Sequence, residues 1–367
     1  MRLLTVRENE AGQRLLRLLE KYMDKAPKSF FYKMLRKKNI TLNGKKAQGN
    51  EYLSKGDEIR LFLSDETIDG FSSAAGRGMP GMNSLAGSEV PRGEALRGGQ
   101  LPPRQKSTQK STQKLTEKLP ENLRPEIIYE DRHVILFNKP AGLLSQKAVP
   151  SDVSLVEYLT AYLLESGQIA EEELRSFRPG ICSRLDRNTS GLVAAGKSLK
   201  GLQELNELFR KRSLHKFYCT IAVGTIAETR RAEGWLLKNE RTNQVQILRE
   251  KREGALPICT EYRPLEQFRL FGKTFTYLEI NLLTGRSHQI RAHLASLGHP
   301  LIGDAKYGKP ELNRLFLKEF GLKYQLLHAY RLEFPELSGA LAEVSGRSFT
   351  APLPAVFSEI LQSRQNG

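Results

Sequence analysis

A stretch rich in Gly, Ser, Pro and Gln between residues 65 and 124 divides this chain of 367 residues. It contains few large apolar side chains and a tandem repeat, KSTQKSTQK. A segment of this composition cannot bury enough apolar surface to form a core and is predicted to act as a flexible linker. The chain is therefore predicted to fold as two units, residues 1–64 and residues 125–367.

The charge of the chain is strongly positive and unevenly distributed. Lys and Arg total 57 against 41 Asp and Glu, a formal net charge of +16 at pH 7. Residues 1–64 contain 15 Lys and Arg against 7 Asp and Glu, so half of the net charge lies in this segment. The balance favours a polyanionic partner, because cationic side chains neutralise phosphates and release counterions.

Membrane, secreted and metal-binding proteins are disfavoured. No apolar run approaches the roughly 20 residues of a membrane-spanning helix, and residues 1–5 lead into charged residues instead of a signal peptide. Cys182, Cys219 and Cys259 are far apart and lack the spacing of metal ligands, so they are expected to be buried apolar residues. We therefore expect a cytoplasmic protein with no metal.

Residues 12–62 have the pattern of a small module with two helices and a sheet. A short strand is predicted from Ile40, a hairpin turn at Asn43-Gly44, and another strand in EIRLFL from Glu58. The apolar residues of the two predicted helices recur at helical spacing: Leu15, Leu18, Leu19 and Tyr22 in the first, and Phe30, Phe31, Met34 and Leu35 in the second.

Basic side chains surround the apolar stripes of this module. A solvated, lysine-rich helix gives the same charge pattern, but the interleaved aromatic residues on a compact module favour RNA binding. The segment APKSFFYKMLRKKNITLNGKK resembles the S-four type of RNA-binding domain, named after a ribosomal protein, in which a basic helix face and the following hairpin bind folded RNA. The predicted RNA-binding residues are Arg14, Lys28, Lys33, Arg36, Lys37, Lys38, Lys45 and Lys46.

The sequence RLDRNTSGL, residues 184–192, is the first candidate for chemistry in the larger unit. Asp186 lies between Arg184 and Arg187, whose charges favour the ionised carboxylate. An apolar strand, LVAAG, follows, and Ser198 is predicted to cap the next helix. Asp186 is thus predicted in a loop before a buried strand. There it either serves as a catalytic group or caps its own turn, and the local pattern does not decide between them.

A predicted strand, LHKFYCTIAV, supplies a second candidate, Tyr218. Apolar residues occupy the alternate positions from His215 to Val223, so Tyr218 lies on the opposite face and is predicted to point away from the core. A tyrosine that faces a cleft can stack on an extruded base. On an exposed strand face, however, tyrosine is also an ordinary strand-forming residue.

The segment TGRSHQIRAHLASLG predicts a turn followed by a helix that ends at Gly298. Thr284 or Ser287 is expected to cap it, and Ile290, Leu294 and Leu297 are expected to form its buried side. His288 and Arg291 lie three residues apart on a different, exposed side. Arg291 can therefore pair with a carboxylate across a cleft.

Four ordered motifs resemble the RluA/RluC-type pseudouridine synthases: RLDRNTSGL, KFYCTIAVG, GRSHQIRAHLASLGHPLIGDAKYG and LLHAYRLEFP. The resemblance covers residues 125–336. It implies an α+β domain with a mixed, largely antiparallel central sheet and flanking helices, preceded by the small α/β RNA-binding domain. It also implies isomerisation of uridine to pseudouridine without a cofactor, with large-subunit ribosomal RNA as the expected substrate. Nothing in the sequence suggests an obligate interface, so a monomer is expected.

The resemblance further implies a role for each site residue. Asp186 would be the essential carboxylate that initiates cleavage of the glycosidic bond, either by attack on the sugar or by relaying a proton. Tyr218 would stack on the base, and Arg291 would pair with Asp186. Arg184 would occupy the space left by the flipped nucleotide. The other predicted substrate-binding residues are Arg187, Thr189, Gly285, His288 and Gln289.

One residue departs from the pattern of the family: Ser183 stands where histidine commonly precedes the arginine. A serine is smaller and neither stacks nor titrates, so target preference can differ. Two other functions stay open. One is a catalytically silent ribosome-binding or RNA-binding factor with the same fold. The other is a glycosidase-like enzyme, which would usually show two carboxylates flanking the bond, whereas Asp186 is the one candidate in this sequence.

Overall fold

The computed structural model describes residues 1–72, 119–239 and 241–363. These residues form two compact units, one of residues 1–72 with 163–178 and the other of residues 119–162 with the described part of 179–363. Residues 73–118, most of the predicted linker, lie outside the described residues. The tether therefore stays a prediction.

The N-terminal unit contains the two helices and the small sheet that the sequence predicts. Its strands follow the order β1-β4-β2-β3, all antiparallel, among the residues described. Strand β1 was not predicted, since its four residues form a strand only by pairing with distant β4. The elements are β1 (Arg2–Thr5), α1 (Leu15–Tyr22), α2 (Lys28–Arg36), β2 (Ile40–Leu42), β3 (Lys45–Lys46), β4 (Glu58–Leu61) and α3 (Asp65–Gly70).

The core of this unit extends past the predicted boundary at residue 64. Ile68 of α3 is fully buried in the same apolar cluster as Leu15 and Phe31, and Phe71 packs against that cluster. Ser64 caps α3 with its side chain. Residues 65–71, which were assigned to the linker, are therefore part of the N-terminal unit. A single buried isoleucine in a polar helix of six residues is too weak a pattern to detect from composition.

The larger unit is not continuous in sequence, although a single segment, 125–367, was predicted. Residues 163–178 belong to the N-terminal unit. There Arg7 pairs with Glu173 at 2.9 Å, and Ser176 hydrogen-bonds Glu10. These partners are 166 residues apart in the chain. A local sequence pattern carries no information about such a pairing.

A mixed, largely antiparallel sheet of eleven strands lies at the centre of the larger unit, in the part of the chain described. Its main path is β11-β10-β12-β13-β9-β14-β8-β6-β5, with β7 paired to β8 and β15 to β14. Strands β8 and β14 pair in parallel. The strands are β5 (Glu126–Glu130), β6 (Val134–Lys139), β7 (Gly180–Ile181), β8 (Ser190–Gly196), β9 (His215–Val223), β10 (Arg230–Asn239), β11 (Gln244–Leu248), β12 (Leu256–Leu270), β13 (Lys273–Leu282), β14 (Leu327–Glu333) and β15 (Ser348–Thr350).

Helices flank this sheet and bury apolar side chains against it. The predicted fold class, α+β with a mixed, largely antiparallel sheet, is confirmed. One cluster joins Leu205 to Leu192 of β8, and another joins Phe316 and Phe357 to Phe275 of β13. The helices are α4 (Leu155–Glu165), α5 (Leu199–Lys211), α6 (Gln289–Ser296), α7 (Pro310–Phe320) and α8 (Ala355–Gln362).

A close approach between β8 and β14 fixes the strand that follows Asp186. Gly191 has a φ of 111°, and a Cβ at this position would lie 2.2 Å from the carbonyl oxygen of Ala329. No L side chain fits that distance, so this position requires glycine. The start of β8 is therefore fixed beside β14, and with it the end of the loop that carries Asp186.

Replacing Gly191 by alanine is expected to separate β8 from β14 and to destabilise the protein by about 2–4 kcal/mol, from overlap and backbone strain. Urea unfolding would measure this loss. Gly180→Ala in neighbouring β7 is the matched control, because its new Cβ would lie at an ordinary 3.6 Å from Leu202. Equal losses in the two variants would contradict the close approach.

Candidate active site

Asp186 lies in the loop before β8, and its ion-pair partner is Arg291 of α6. Arg291 Nη1 donates to Asp186 Oδ2 at 3.0 Å. The other carboxylate oxygen, Oδ1, receives no hydrogen bond from any residue in the described ranges. The side chain of Asp186 is 26% exposed. The ion pair predicted from the sequence is thus present, and it leaves one oxygen available to a substrate.

The prediction that Arg184 and Arg187 supply the positive charge beside Asp186 is wrong. Arg184 and Arg187 make no ion pair with it among the described residues; Arg184 is exposed, and Arg187 Nε donates to the Gly142 carbonyl at 3.1 Å. Arg291, in contrast, was expected on an exposed helix side and is only 5% exposed. Neighbours in a turn project in different directions, so the counter-ion comes from a distant helix instead.

The side chain of Asp186 does not cap its own turn, which was the alternative to a catalytic role. The turn is closed by the backbone, since the Thr189 amide donates to the Asp186 carbonyl oxygen at 3.0 Å. The carboxylate itself binds Arg291. Asp186 is therefore a charged group held at a partly open position and not a turn cap.

A second carboxylate, Asp304, holds Arg291 from the other side. Arg291 Nε donates to Asp304 Oδ2 at 2.7 Å, and Nη2 donates to Oδ1 at 2.9 Å. This bidentate pair fixes the plane of the guanidinium and so directs Nη1 at Asp186. Burial opposes ionisation of Asp304, but the hydrogen bonds and the charge of Arg291 outweigh it and lower the pKa of the carboxyl.

Asp304 had no assigned role in the sequence, although it lies in the motif GDAKYG. It is fully buried, and the amides of Lys306 and Tyr307 also donate to its Oδ1. Its carboxylate is therefore fully occupied by internal partners and presents no oxygen to a substrate. The two carboxylates near Arg291 do not form the flanking pair of a glycosidase.

His288 lies beside Asp186, with Nε2 at 3.9 Å from Oδ2. Its Nδ1 is 3.0 Å from the Tyr307 hydroxyl, and that hydroxyl accepts a hydrogen bond from the Val245 amide. Burial lowers the pKa of His288, although the charge of Asp186 opposes this shift. The bond to Tyr307 orients the ring, and Nε2 faces the carboxylate.

Tyr218 lies on the predicted face of β9, opposite to Cys219, Ile221 and Val223, which join an apolar cluster. It does not point to solvent, because it is 8% exposed. Burial and the charge of Asp186 raise the pKa of its hydroxyl, which keeps it protonated. The twofold period of a strand identifies its two faces. It does not indicate that both faces are covered.

Lys139 at the end of β6 holds the loop of Asp186 from the protein interior. Its side chain is fully buried, and Nζ donates to the carbonyl oxygens of Leu143 at 2.8 Å, Pro140 at 3.0 Å and Arg187 at 3.1 Å. Burial lowers the pKa of Lys139 to about 7, although the charge of Asp186 opposes this shift. The sequence pattern indicated only that a strand ends near Lys139 and predicted no role for its side chain.

Two predicted substrate-binding residues are internal instead. Thr189 is 2% exposed and accepts a hydrogen bond from Gln325 at 3.2 Å. Gln289 is also 2% exposed. Its amide group bonds the Cys259 carbonyl and three other groups, from Thr260, Thr284 and Arg286. Both side chains are buried and bond to neighbouring residues of the protein.

Helix α6 begins later than predicted. Its N-cap is His288, in a left-handed conformation with a φ of 54°, and no side chain caps it. Thr284 and Ser287 are thus not the caps. Leu297, expected on the buried side, is 42% exposed. The left-handed residue turns the chain sharply, which brings His288 and Arg291 to the same carboxylate.

In the described parts of the chain, no group of three or more His, Cys, Asp or Glu side chains could hold a metal ion. Within the same ranges, no helix is long and apolar enough to cross a membrane. Cys219 is buried, as expected, but Cys182 and Cys259 are partly exposed.

Known proteins define the class of this site. Residues 133–296 match the family model for RNA pseudouridylate synthase, and the matched range includes Asp186, Tyr218, His288 and Arg291. This segment of the chain is similar to that family, and the similarity indicates a pseudouridine synthase, an isomerase.

Individual relatives extend the comparison beyond this range. Ribosomal large subunit pseudouridine synthase C of Vibrio cholerae is 29% identical over 333 residues, 89% of this chain and 86% of the relative. Ribosomal large subunit pseudouridine synthase D of Xanthomonas campestris is 33% identical over 235 residues, 62% of this chain and 65% of the relative. The structure of Human RNA Pseudouridylate Synthase Domain Containing 4 has a TM-score of 0.51 and 22% identity, covering 69% of this chain and 95% of that chain, and shows the fold.

Replacing Asp304 by asparagine is expected to destabilise the protein by about 3–5 kcal/mol at neutral pH, because it breaks a buried ion pair. The pKa of Asp304 is lowered on folding. Its stabilisation is therefore fully present above the unfolded carboxyl pKa of about 3.9 and is lost as the pH falls through the folded value. Urea unfolding should show a difference from wild type that shrinks toward acid pH.

The control for this measurement is Glu311→Gln, which neutralises an exposed carboxylate and should leave stability nearly unchanged. A difference between Asp304→Asn and wild type that stayed constant with pH would contradict the charged pair.

Proposed function

We propose that this protein isomerises specific uridines to pseudouridine in large-subunit ribosomal RNA, with Asp186 as the essential carboxylate. The observation that carries the proposal is the state of this carboxylate: Arg291 holds Oδ2 at 3.0 Å, while Oδ1 receives no hydrogen bond from the described residues. The names of the Vibrio cholerae and Xanthomonas campestris relatives support the ribosomal substrate. A monomeric state and a cytoplasmic location belong to the same proposal.

Asp186 initiates cleavage of the bond between N1 of uracil and C1′ of ribose. The base then turns, C5 bonds to C1′, the proton on C5 is lost, and N1 gains a proton, so the isomerisation needs no co-reactant. Asp186 attacks the sugar or relays a proton, and an oxygen free of protein hydrogen bonds serves either role. Arg291 supplies a fixed positive charge beside it, which needs no reorganisation during the reaction.

Tyr218 contacts the target base, and Arg184 fills the position that this base leaves in the RNA. The ring of Tyr218 stacks on the extruded base, and its protonated hydroxyl adds no negative charge beside Asp186. Because this ring is 8% exposed, the side chains that cover it must move when the base enters. Arg184, which is exposed, occupies the space that the base leaves in the RNA.

The N-terminal unit supplies a cationic surface for RNA. Lys33, Arg36 and Lys37 have no ion pair within the described ranges, so their charges are available to phosphates. All eight predicted RNA-binding residues are exposed: Arg14, Lys28, Lys33, Arg36, Lys37, Lys38, Lys45 and Lys46.

Replacing Asp186 by asparagine is expected to lower the isomerisation rate by about 10²–10⁴-fold, since the charged carboxylate is lost at constant shape. Unmodified large-subunit ribosomal RNA would be incubated with each protein, and pseudouridine would be mapped by carbodiimide-dependent stops of reverse transcription. If the wild type produced no stop, the protein would be an RNA-binding factor instead. Normal activity of the asparagine variant would reject Asp186 as the essential group.

Replacing Lys33, Arg36 and Lys37 together by glutamine is expected to weaken RNA binding and to lower the slope of log K against log salt by about 0.7–0.9 for each lost phosphate contact. These substitutions test the surface better than deletion of residues 1–64 would. The deletion would remove the apolar residues that bury Ile68 and so expose it. The control is the equal charge change at three exposed residues of the larger unit: Lys309, Arg314 and Lys318. Equal slopes for the two triple variants would reject the role of the N-terminal surface.

A further inference from the structure

Lys216 is a partly buried cation without a counter-ion. It lies on β9 two residues before Tyr218, and alternate residues of a strand share a face. No hydrogen bond or ion pair joins its side chain to another residue of the described ranges. Burial and then the positive charge of Arg212 lower the pKa of Lys216, and no carboxylate opposes them. The ammonium group of Lys216 is thus not neutralised by any residue in the described ranges.

The ammonium group of Lys216 lies against the turn that leads to α6. A Cβ built on Gly285 would be 3.6 Å from Lys216 Nζ. Gly285 is exposed and carries no side chain, so this residue leaves the ammonium group open. A larger residue here would place atoms directly beside it.

Arg286, the next residue, adds a second unsatisfied cation. Its Nε is buried and has no hydrogen-bond acceptor among the described residues, and no ion pair within them neutralises it. The Arg286 amide donates to Gln289 Oε1 at 3.1 Å, which fixes the backbone of the turn. Buried donors and charges without partners cost free energy. A bound anion would supply the missing acceptor.

Both cations belong to segments that also reach Asp186. Tyr218, whose hydroxyl responds to the charge of Asp186, is about 7 Å along the strand from Lys216. His288, with Nε2 at 3.9 Å from Asp186 Oδ2, is two residues beyond Arg286. The two cations therefore lie on the segments that carry Tyr218 and His288, the residues beside Asp186.

We propose that Lys216 and Arg286 bind a backbone phosphate of the RNA next to the target uridine. The proposal rests on the proposed function, which supplies the RNA. Phosphate oxygens accept charge-assisted hydrogen bonds from both side chains. Such a contact sets the register of the strand without reading its sequence. It holds the backbone in place while the target base leaves the stack.

The test measures binding of an unmodified large-subunit ribosomal RNA transcript to Lys216→Gln and Arg286→Gln as a function of salt. Each variant is expected to bind about tenfold more weakly and to lower the slope of log K against log salt by about 0.7–0.9. Lys216→Arg should retain the slope, because it keeps the charge. The control is Lys273→Gln, an exposed lysine at the opposite end of β13 from Gly285, which should retain both affinity and slope.

In kinetics on the same transcript, Lys216→Gln is expected to raise KM with little change in kcat, the pattern of a contact made before and during the reaction. An unchanged salt slope in both glutamine variants would overturn the phosphate site, and so would a loss that Lys216→Arg does not rescue. If the wild type bound the transcript but modified no uridine, the proposed function would fail. The salt slopes would still decide whether the phosphate site exists.

Discussion

The guanidinium of Arg291, shared between two carboxylates, is the interaction on which the active site depends. Asp304 takes Nε and Nη2 and is fully buried, while Asp186 takes Nη1 and is partly exposed. A guanidinium offers its donors in one rigid plane, so the buried pair determines where the third donor points. The two carboxylates differ in exposure: Asp304 is saturated and orients the arginine, whereas Asp186 has one oxygen that receives no hydrogen bond from the described residues.

The surrounding fold holds this arrangement from two sides. On one side, Lys139 ties the Asp186 loop to the end of β6 through the Arg187 carbonyl, and Gly191 lets β8 approach β14 closely enough to fix the end of the loop. On the other side, the left-handed N-cap of α6 brings His288 to the carboxylate that Arg291 already binds. Catalytic groups gain from such rigid support because small displacements weaken reacting geometry.

The elements recognised from the sequence are those with a local signal. The helix from Leu15 to Tyr22 and the cap at Ser198 depend on neighbours within a few residues, and the structure contains both. Predictions failed where the partner was remote or its exposure mattered. Arg184 and Arg187 were assigned to Asp186 because they adjoin it, and Thr189 and Gln289 were assigned to substrate although both are buried.

The sequence by itself determined the α+β class, the excess of positive charge and the identity of Asp186, Tyr218 and Arg291 as a candidate set, since each has a local pattern or a motif. The tertiary structure alone decided which charges neutralise which. It assigned Asp304 to Arg291, buried Lys139 beneath the loop, and gave Lys216 and Arg286 no counter-ion among the described residues. The reason is physical: charge pairing and desolvation depend on distances across the fold, and the order of residues along the chain does not specify those distances.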